Sequence, residues 1–193
     1  MTDFLYSIDL AVFYFINHTI ANPAMDRFFV FITDVNHWYI AYLILLGIAF
    51  IKGGRIGKIS AVGALLLIVT SDQLSSFFIK HWVARVRPCN ALSDCRSLIE
   101  ASGSYSFPSS HAVNNFAAAA FFYRIYPDLK WVLFITAALV AISRVYVGRH
   151  YPSDIAGGAL IGSLLGYLFA SIALRLDSYI KERYNKTITE EVK

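Results

Sequence analysis

The sequence contains few charged residues. Asp, Glu, Lys and Arg together make up 16% of the 193 residues, against about a quarter in an average soluble domain. Hydrophobic residues make up 57%, and the mean hydropathy is +0.54. No run of basic residues occurs, so nothing in the sequence predicts binding to nucleic acid. This composition predicts a protein embedded in a lipid bilayer.

Cysteine is also scarce: Cys89 and Cys95 are the two in the chain. Metal sites that use cysteine have closer pairs and further Cys or His ligands at fixed spacing, so the sequence predicts no metal and no other cofactor. The spacing leaves two interpretations open, two unrelated thiols or a loop disulfide formed in an oxidising compartment. The N-terminus lacks the cationic stretch and cleavage site of a signal peptide, so we expect the first apolar segment to be retained.

Long apolar runs, by contrast, are frequent. A bilayer span takes roughly 17–25 residues, and five runs meet or approach that length: 38–51, 58–79, 110–126, 130–147 and 153–174. The last run carries glycines at intervals of four, which favours close helix packing in lipid: Gly158, Gly162 and Gly166. The sequence therefore predicts an all-α integral membrane helical bundle with five firm spans, forming one domain over residues 1–193.

The N-terminal segment 4–20 has two interpretations. It is apolar, but its polar side chains lie roughly on one helical stripe, which is typical of an amphipathic helix in the plane of the membrane. A marginal sixth span would show the same pattern. Residues 28–32 form a further apolar piece that is too short to span.

Basic residues are unevenly distributed between the connections. If the five spans alternate in direction, three basic groups fall on one side: Lys52, Arg55 and Lys58; Arg124 and Lys130; Arg175, Lys181, Arg183 and Lys186. The positive-inside rule makes that side cytoplasmic, so the loops 80–109 and 148–152 face outward. Cys89 and Cys95 lie in the first of these loops. We therefore predict that they form a disulfide, which would order the segment after Arg87.

Three permanent cations meet on the outward side. Lys80 and Arg87 are seven residues apart, so we expect both on one helical face, with the following proline ending the helix. Arg144 adds a third positive charge. Three cations match a phosphate dianion and the extra charge of its in-line displacement. Ser109 and Ser110 open the third span, where free backbone N–H groups bind anions and the hydroxyls add donors.

Two histidines accompany these cations. Asp154 lies four residues after His150 and can reach back to one ring nitrogen. That contact fixes the tautomer and leaves the other nitrogen free to attack. His111 follows the serine pair and is placed to protonate the departing alkoxide and then to take a proton from water.

Together these segments resemble the signature of the type 2 phosphatidic acid phosphatase (PAP2) superfamily, K-x6-RP, PSGH and SR-x5-H-x3-D. The match runs from Lys80 to Asp154, and its one departure is Ser110 in place of a glycine. The resemblance implies six membrane helices, a phosphohistidine intermediate and no metal. It also implies roles for eight residues: Lys80, Arg87, Ser109, Ser110 and Arg144 as phosphate contacts, His150 as nucleophile, His111 as acid and base, and Asp154 as the residue that orients His150.

The family resemblance also implies the substrate class. We expect hydrolysis of a phosphomonoester or diphosphate on a membrane lipid, by a multi-pass cell-membrane protein whose active site faces outward. The candidates are undecaprenyl diphosphate, lipid A 1-phosphate, phosphatidylglycerophosphate and phosphatidate, and the sequence does not choose among them. The expected partners are the lipid substrate and the bilayer, without nucleic acid, and the sequence does not indicate an oligomeric state.

Two other functions are less consistent with the sequence. Vanadate-dependent haloperoxidases have similar motifs, but they are soluble, and five predicted spans argue against them. A lipid-binding or transport protein with a vestigial site is disfavoured by the completeness of the motifs.

Some polar residues near the motifs have ambiguous roles. Asp72 lies inside the second predicted span, where an ionised carboxylate needs a partner. It is either a support that orients a phosphate-binding cation or a buried hydrogen-bond node with Thr70, Ser71 or Ser75. For Arg85 and Arg149 we predict contact with headgroups or the membrane surface rather than catalysis. Asn114 and Asn115 are predicted to join helices.

Overall fold

A computed structural model of the chain describes residues 2–100 and 103–191. Every regular element within these residues is a helix, which confirms the predicted all-α class. Seven helices organise the fold: α1 Thr2–Tyr14, α2 Pro23–Thr33, α3 Tyr39–Lys52, α4 Gly54–Gln73, α5 Ser110–Ile125, α6 Lys130–Tyr146 and α7 Pro152–Glu191. A π-helical turn, Leu74–Ile79, and one α-helical turn, Lys80–Val83, continue α4. Whether residues 1–193 form a single domain stays a prediction.

The number of firm membrane spans is lower than predicted. Within the described residues, three helical segments are long and apolar enough to cross a bilayer: Gly54–Ala91, Pro127–Tyr146 and Pro152–Thr187. The prediction of five firm spans is therefore wrong. Helix α3 is apolar but has 14 residues, which reach about 21 Å at 1.5 Å per residue, short of a hydrocarbon core of about 30 Å. Helix α5 has 16 residues and contains two asparagines, Asn114 and Asn115.

The N-terminal apolar segments form a bent pair. Phe4–Thr19 and Pro23–Thr33 meet at 114°, and together they are apolar enough for one broken span or a re-entrant loop, which would make four spans. The bend is stabilised by Asn22, whose side chain accepts hydrogen bonds from the backbone N–H groups of Ala24 and Met25 at the start of α2. The apolar piece 28–32 is thus part of a helix that continues the first segment. Its geometry leaves both interpretations of the segment 4–20 open.

Helix α5 occupies the centre of the bundle, packed along α7 and flanked by α4 and α6. The glycines of α7 allow this close approach, because a Cβ added at Gly162 would overlap the backbone carbonyl of Val113. A Cβ at Gly166 would overlap the carbonyl of Ala117 in the same way. The predicted small-residue face is therefore confirmed as the α5–α7 contact. This central position lets α5 carry polar side chains that a lipid-facing helix could not.

The two ends of the bundle differ in what they hold. At one end, Arg55 Nε donates to Asp177 Oδ1 at 2.6 Å and joins the start of α4 to α7. At the other end, the long loop between α4 and α5 meets the turn between α6 and α7, where Leu98 N donates to Val147 O at 3.4 Å. All three polar motifs of the sequence belong to this second end.

The predicted disulfide is confirmed. Cys89 and Cys95 are bonded, with their Cα atoms 5.0 Å apart. The bridge does more than order the segment after Arg87, because both sulfur atoms also pack against Gly148 in the turn between α6 and α7. The cystine thereby supports the turn from which His150 follows.

Candidate active site

The helix that carries Lys80 ends earlier than the sequence predicted. The continuation of α4 ends at Val83, and Ala84 adopts a left-handed conformation with φ 50°. Residues 84–87 are not helical, and Pro88 begins a new helical turn. The expectation that Lys80 and Arg87 share one helical face is therefore wrong. Both are nevertheless buried, and Lys80 lies within electrostatic range of Arg87 and Arg144.

Arg87 is fixed by four hydrogen bonds. Its Nε and Nη2 donate to Ser104 O and Oγ at 2.7 and 2.8 Å. Its Nη1 donates to Arg149 O at 2.9 Å and approaches His150 Nε2 at 3.2 Å. A guanidinium has no acceptor, so Nε2 is the acceptor in the last contact. The ring nitrogen that faces Arg87 therefore carries a lone pair.

The proton of His150 must then be on Nδ1, which faces Asp154 Oδ2 at 3.5 Å. Tyr151 N also donates to Oδ2, at 2.8 Å, and the Ser106 hydroxyl donates to the same oxygen. Burial lowers the pKa of His150 to about 3, with the nearby positive charges of Arg87 and Arg144 acting in the same direction, while Asp154 raises it. The imidazole is thus neutral at ordinary pH, which is the form that a nucleophile needs.

Thr33, at the end of α2, contributes to the site although nothing in the sequence singled it out. Arg144 Nη1 donates to Thr33 Oγ1 at 2.6 Å, and the ring of His111 hydrogen-bonds the Thr33 backbone. His111 is half-buried and lies within electrostatic range of Arg144 and His150. The contact spans 111 residues of sequence between Thr33 and Arg144, so no local pattern could have revealed it.

The second motif starts α5 as predicted. Ser109 is the N-cap, and its side chain accepts from Ala112 N at 3.5 Å. Ser109 N donates to Asp154 O at 3.1 Å, which ties this helix start to the third motif. The hydroxyl of Ser110, the residue that departs from the family pattern, lies 3.0 Å from Ser76 Oγ.

Asp72 is a hydrogen-bond node between α4 and α5. Its Oδ1 accepts from Asn114 Nδ2 at 3.1 Å and from Ser76 Oγ at 3.4 Å. Asn114 also accepts from Ser71 Oγ at 2.7 Å, so it joins the two helices as predicted. Asn115 does not, because its Nδ2 donates to His111 O within its own helix. Asp72 is thus connected to Ser110 by two hydrogen bonds, through Ser76.

The two flanking arginines are placed differently from the prediction. Arg85 Nη1 donates to Asp154 Oδ1 at 2.7 Å, and its Nη2 donates to Asp9 Oδ2 at 2.6 Å. Arg149 is buried, and its Nε has no hydrogen-bond partner among the described residues. It lies close enough to Arg87 and Arg144 to affect them electrostatically. Predicted headgroup contact is therefore wrong for both.

The donor set favours an anion over a metal cation. Within residues 2–100 and 103–191, no three His, Cys, Asp or Glu side chains form a group that could hold a metal ion. The buried cations Arg87 and Arg144 lie within electrostatic range of His150, and Lys80 lies within electrostatic range of both arginines. That the reaction needs no metal remains a prediction.

Relatives of known function agree with this geometry. The chain is 31% identical to the lipid A 4'-phosphatase of Bacteroides thetaiotaomicron over 94% of its length and 84% of the relative's. It is 29% identical to the undecaprenyl-diphosphatase of Sulfolobus acidocaldarius over 77% of its length and 70% of the relative's. The structure is similar to the crystal structure of the transmembrane PAP2-type phosphatidylglycerolphosphate phosphatase of Bacillus subtilis, with a TM-score of 0.71, 27% identity and coverage of 89% and 87% of the two chains.

These relatives act on different lipids, but each is a phosphatase of a phosphate or diphosphate group by its name. The predicted class of enzyme, a membrane lipid phosphatase, is thereby confirmed. Residues 61–177 match the family model of the PAP2 superfamily, and this segment contains all three motifs. The chain belongs to the PAP2 superfamily.

Proposed function

We propose that the chain hydrolyses a phosphomonoester or diphosphate on a membrane lipid through a covalent phosphohistidine at His150. The observation that carries this proposal is the alignment of Arg87, His150 and Asp154. Arg87 holds Nε2 as an unprotonated acceptor, and Asp154 faces the protonated Nδ1. The nucleophilic nitrogen is thus oriented toward a buried cation that would also bind the substrate phosphate.

The first step transfers the phosphoryl group to the enzyme. Lys80, Arg87 and Arg144 bind the non-bridging oxygens, with Ser109, Ser110 and the first N–H groups of α5 as further donors. The lone pair of His150 Nε2 attacks phosphorus while the bond to the lipid oxygen breaks. His111 gives its proton to that departing oxygen. Asp154 stabilises the positive charge that develops on the imidazole.

The second step releases phosphate. His111, now neutral, takes a proton from a water molecule, and the resulting hydroxide attacks phosphorus from the side opposite His150. The phosphorus–nitrogen bond breaks, and its electron pair returns to Nε2. Both histidines regain their starting protonation states, so the cycle balances without a cofactor.

The proposed site faces the outside of the membrane. The basic groups that include Lys52, Arg55 and Lys58 lie at the opposite end of the bundle from His150, and the positive-inside rule makes that end cytoplasmic. The disulfide between Cys89 and Cys95 lies at the same end as His150, and a disulfide is consistent with an oxidising compartment. An outward site favours lipid A phosphate and undecaprenyl diphosphate as substrates among the four candidates.

The acid role of His111 can be tested through the leaving group. Removing a general acid costs about 10²–10⁴-fold when the leaving oxygen is a poor leaving group. We expect His111→Ala to slow hydrolysis of an alkyl monoester such as phosphatidate far more than hydrolysis of a diphosphate, whose leaving phosphate is already stable as an anion. His81→Ala is the matched control, since His81 is exposed and hydrogen-bonds only Phe77 O among the described residues.

The measurement is phosphate release by purified protein in detergent with excess EDTA, over the panel of four lipids. Equal losses on both substrate types would contradict the role of His111. Complete loss of wild-type activity in EDTA, restored by Mg²⁺ or Zn²⁺, would contradict the metal-free mechanism. No phosphate released from any lipid would instead favour a lipid-binding or transport function.

A further inference from the structure

The N-terminal helix α1 reaches the nucleophile through a buried carboxylate that no motif includes. Asp9 is 6% exposed and accepts three hydrogen bonds. Ser153 N donates to its Oδ1 at 2.8 Å, Ser153 Oγ donates to its Oδ2 at 2.5 Å, and Arg85 Nη2 donates to Oδ2 at 2.6 Å. A carboxylate is costly to bury unless it is paired in this way. Its partners are therefore the reason that it is tolerated.

Arg85 connects this carboxylate to the catalytic pair. Its Nη1 donates to Asp154 Oδ1 at 2.7 Å and to Ser153 Oγ at 2.6 Å. Its guanidinium also stacks on the ring of Tyr151, 4.1 Å from the centroid. One planar cation thus bridges two carboxylates in a fixed orientation, as an arginine fork allows and a lysine does not.

The charges of this network have a consequence for Asp154. Without Asp9, Arg85 and Asp154 would form a neutral pair, and little net negative charge would remain to face His150. With Asp9 present, one positive charge is shared between two carboxylates, and the network as a whole keeps a charge of −1. Asp154 can then stabilise the imidazole as it becomes positive during attack.

We propose that Asp9, acting through Arg85 and Ser153, is a positioning residue for the pair of His150 and Asp154. This inference rests on the proposed role of His150 as nucleophile. Asp9 does not touch the phosphate. It fixes the orientation of Arg85, receives the N-terminal N–H of Ser153 at the start of α7, and preserves the negative charge on Asp154. The N-terminal helix is thereby part of the catalytic centre as well as of the bundle.

Asp9→Asn is the direct test, because it keeps the size and one acceptor oxygen and removes the charge. A unit charge acting over roughly 10 Å at an effective dielectric constant near 20 corresponds to about tenfold or more in rate. We therefore expect kcat to fall at least fivefold, while KM stays within threefold of wild type because the phosphate contacts are intact. The rate of phosphohistidine formation in a base-quenched single turnover should fall by the same factor.

Asp26→Asn is the matched control. Asp26 pairs with Arg96 at 2.8 Å and with Tyr146 at 2.6 Å, in the same kind of carboxylate–arginine contact, but it has no contact with Asp154 or His150. We expect this variant to have a lower melting temperature with kcat within twofold of wild type. If Asp9 had a purely structural role, Asp9→Asn and Asp26→Asn would show the same pattern, a lower melting temperature with little change in kcat.

The outcomes separate the two proposals. If wild-type protein forms no phosphohistidine, the proposed function fails before Asp9 is tested. If wild type forms it and Asp9→Asn lowers kcat less than fivefold, or no more than Asp26→Asn does, the role of Asp9 is overturned. If Asp9→Asn does not fold, Arg85→Lys takes its place, since it keeps the charge but cannot bridge both carboxylates. A fall in kcat of fivefold or more with unchanged KM then supports the proposal, and a smaller fall overturns it.

Discussion

Gly148→Ala should impair both stability and catalysis, because this glycine lies between the disulfide and His150, the proposed nucleophile. Gly148 has φ +80°, a conformation that L side chains rarely adopt. An added Cβ would lie 2.5 Å from Arg96 O, 2.6 Å from Cys89 Sγ and 3.1 Å from Cys95 Sγ. Neither a backbone carbonyl nor a cystine can rotate out of the way. The turn itself must therefore move, and His150, two residues further along the chain, would move with it.

The size of the effect follows from two costs. A left-handed conformation costs a non-glycine residue about 1–2 kcal/mol, and an overpacked contact typically adds about 1–3 kcal/mol. A total of about 2–5 kcal/mol lowers a melting temperature by roughly 5–15 °C in a chain of this size. A displacement of about 1 Å in a reacting group can cost about 100-fold in rate. We therefore expect kcat to fall by about 100-fold even where the protein remains folded.

The assay is phosphate release by detergent-purified protein at a temperature below both melting transitions. Gly103→Ala is the control, because Gly103 lies in the loop between α4 and α5, lacks a positive φ and has no atom within 4 Å of an added Cβ. It should match wild type in kcat and in melting temperature. If Gly148→Ala also matched wild type in both, the close packing of the cystine on the turn would be refuted.

Three further predictions use the disulfide, the topology and the buried histidine. Non-reduced mass spectrometry should show Cys89 linked to Cys95, and replacing both with Ser should lower the free energy of unfolding by less than the roughly 3 kcal/mol of a 15-residue loop; free thiols in protein purified without reductant would rule the bridge out. In that cysteine-free background and in intact cells, Gly103→Cys should react with an impermeant thiol reagent and Lys52→Cys should not, and the reverse would place the site in the cytoplasm. Burial lowers the pKa of His150 from 6.5 to about 3, so its contribution to stability is complete above about pH 6.5 and is lost as pH falls toward 3. The loss of folding free energy amounts to about 2 kcal/mol by pH 5. His150→Gln should therefore flatten the acid side of the melting-temperature profile, and an unchanged profile would contradict a neutral buried ring.

That these polar residues meet at one site could be predicted from the sequence, because charged residues are rare in this apolar chain. Lys80, Arg87, Arg144 and His150 have no reason to occur together in a membrane protein except to bind and process an anion. Their spacing relative to the apolar runs also gave their common end of the bundle. The short distance from His150 to Asp154 along one helix start was similarly accessible from the sequence.

The supporting contacts could not be predicted, because they join distant segments. Asp9 meets Ser153 across 144 residues, and a single carboxylate in α1 resembles any other polar position on an amphipathic stripe. Thr33 likewise has no distinguishing pattern. The position of Arg85 was misjudged for the same reason: next to a motif, an arginine with no visible partner looks like a surface residue.

The errors in the helices have a different origin. Apolar composition alone does not identify a span when a helix is surrounded by protein, as α5 is, or when a helix is as short as α3. The end of the α4 continuation depends on the left-handed conformation of Ala84, for which alanine gives no signal. The separation of seven residues therefore predicted that Lys80 and Arg87 lie on one helical face, although the helix ends between them.

The central claim, a phosphohistidine at His150, is tested most directly by trapping it. Wild-type protein is mixed with lipid carrying a labelled terminal phosphate, quenched in base, digested and analysed by mass spectrometry. We expect acid-labile, base-stable label on the peptide that contains His150 and normal label in His81→Ala. His150→Ala should carry no label, and its turnover should fall by about 10⁴-fold or more. Label on another residue, or full turnover by His150→Ala, would contradict the mechanism.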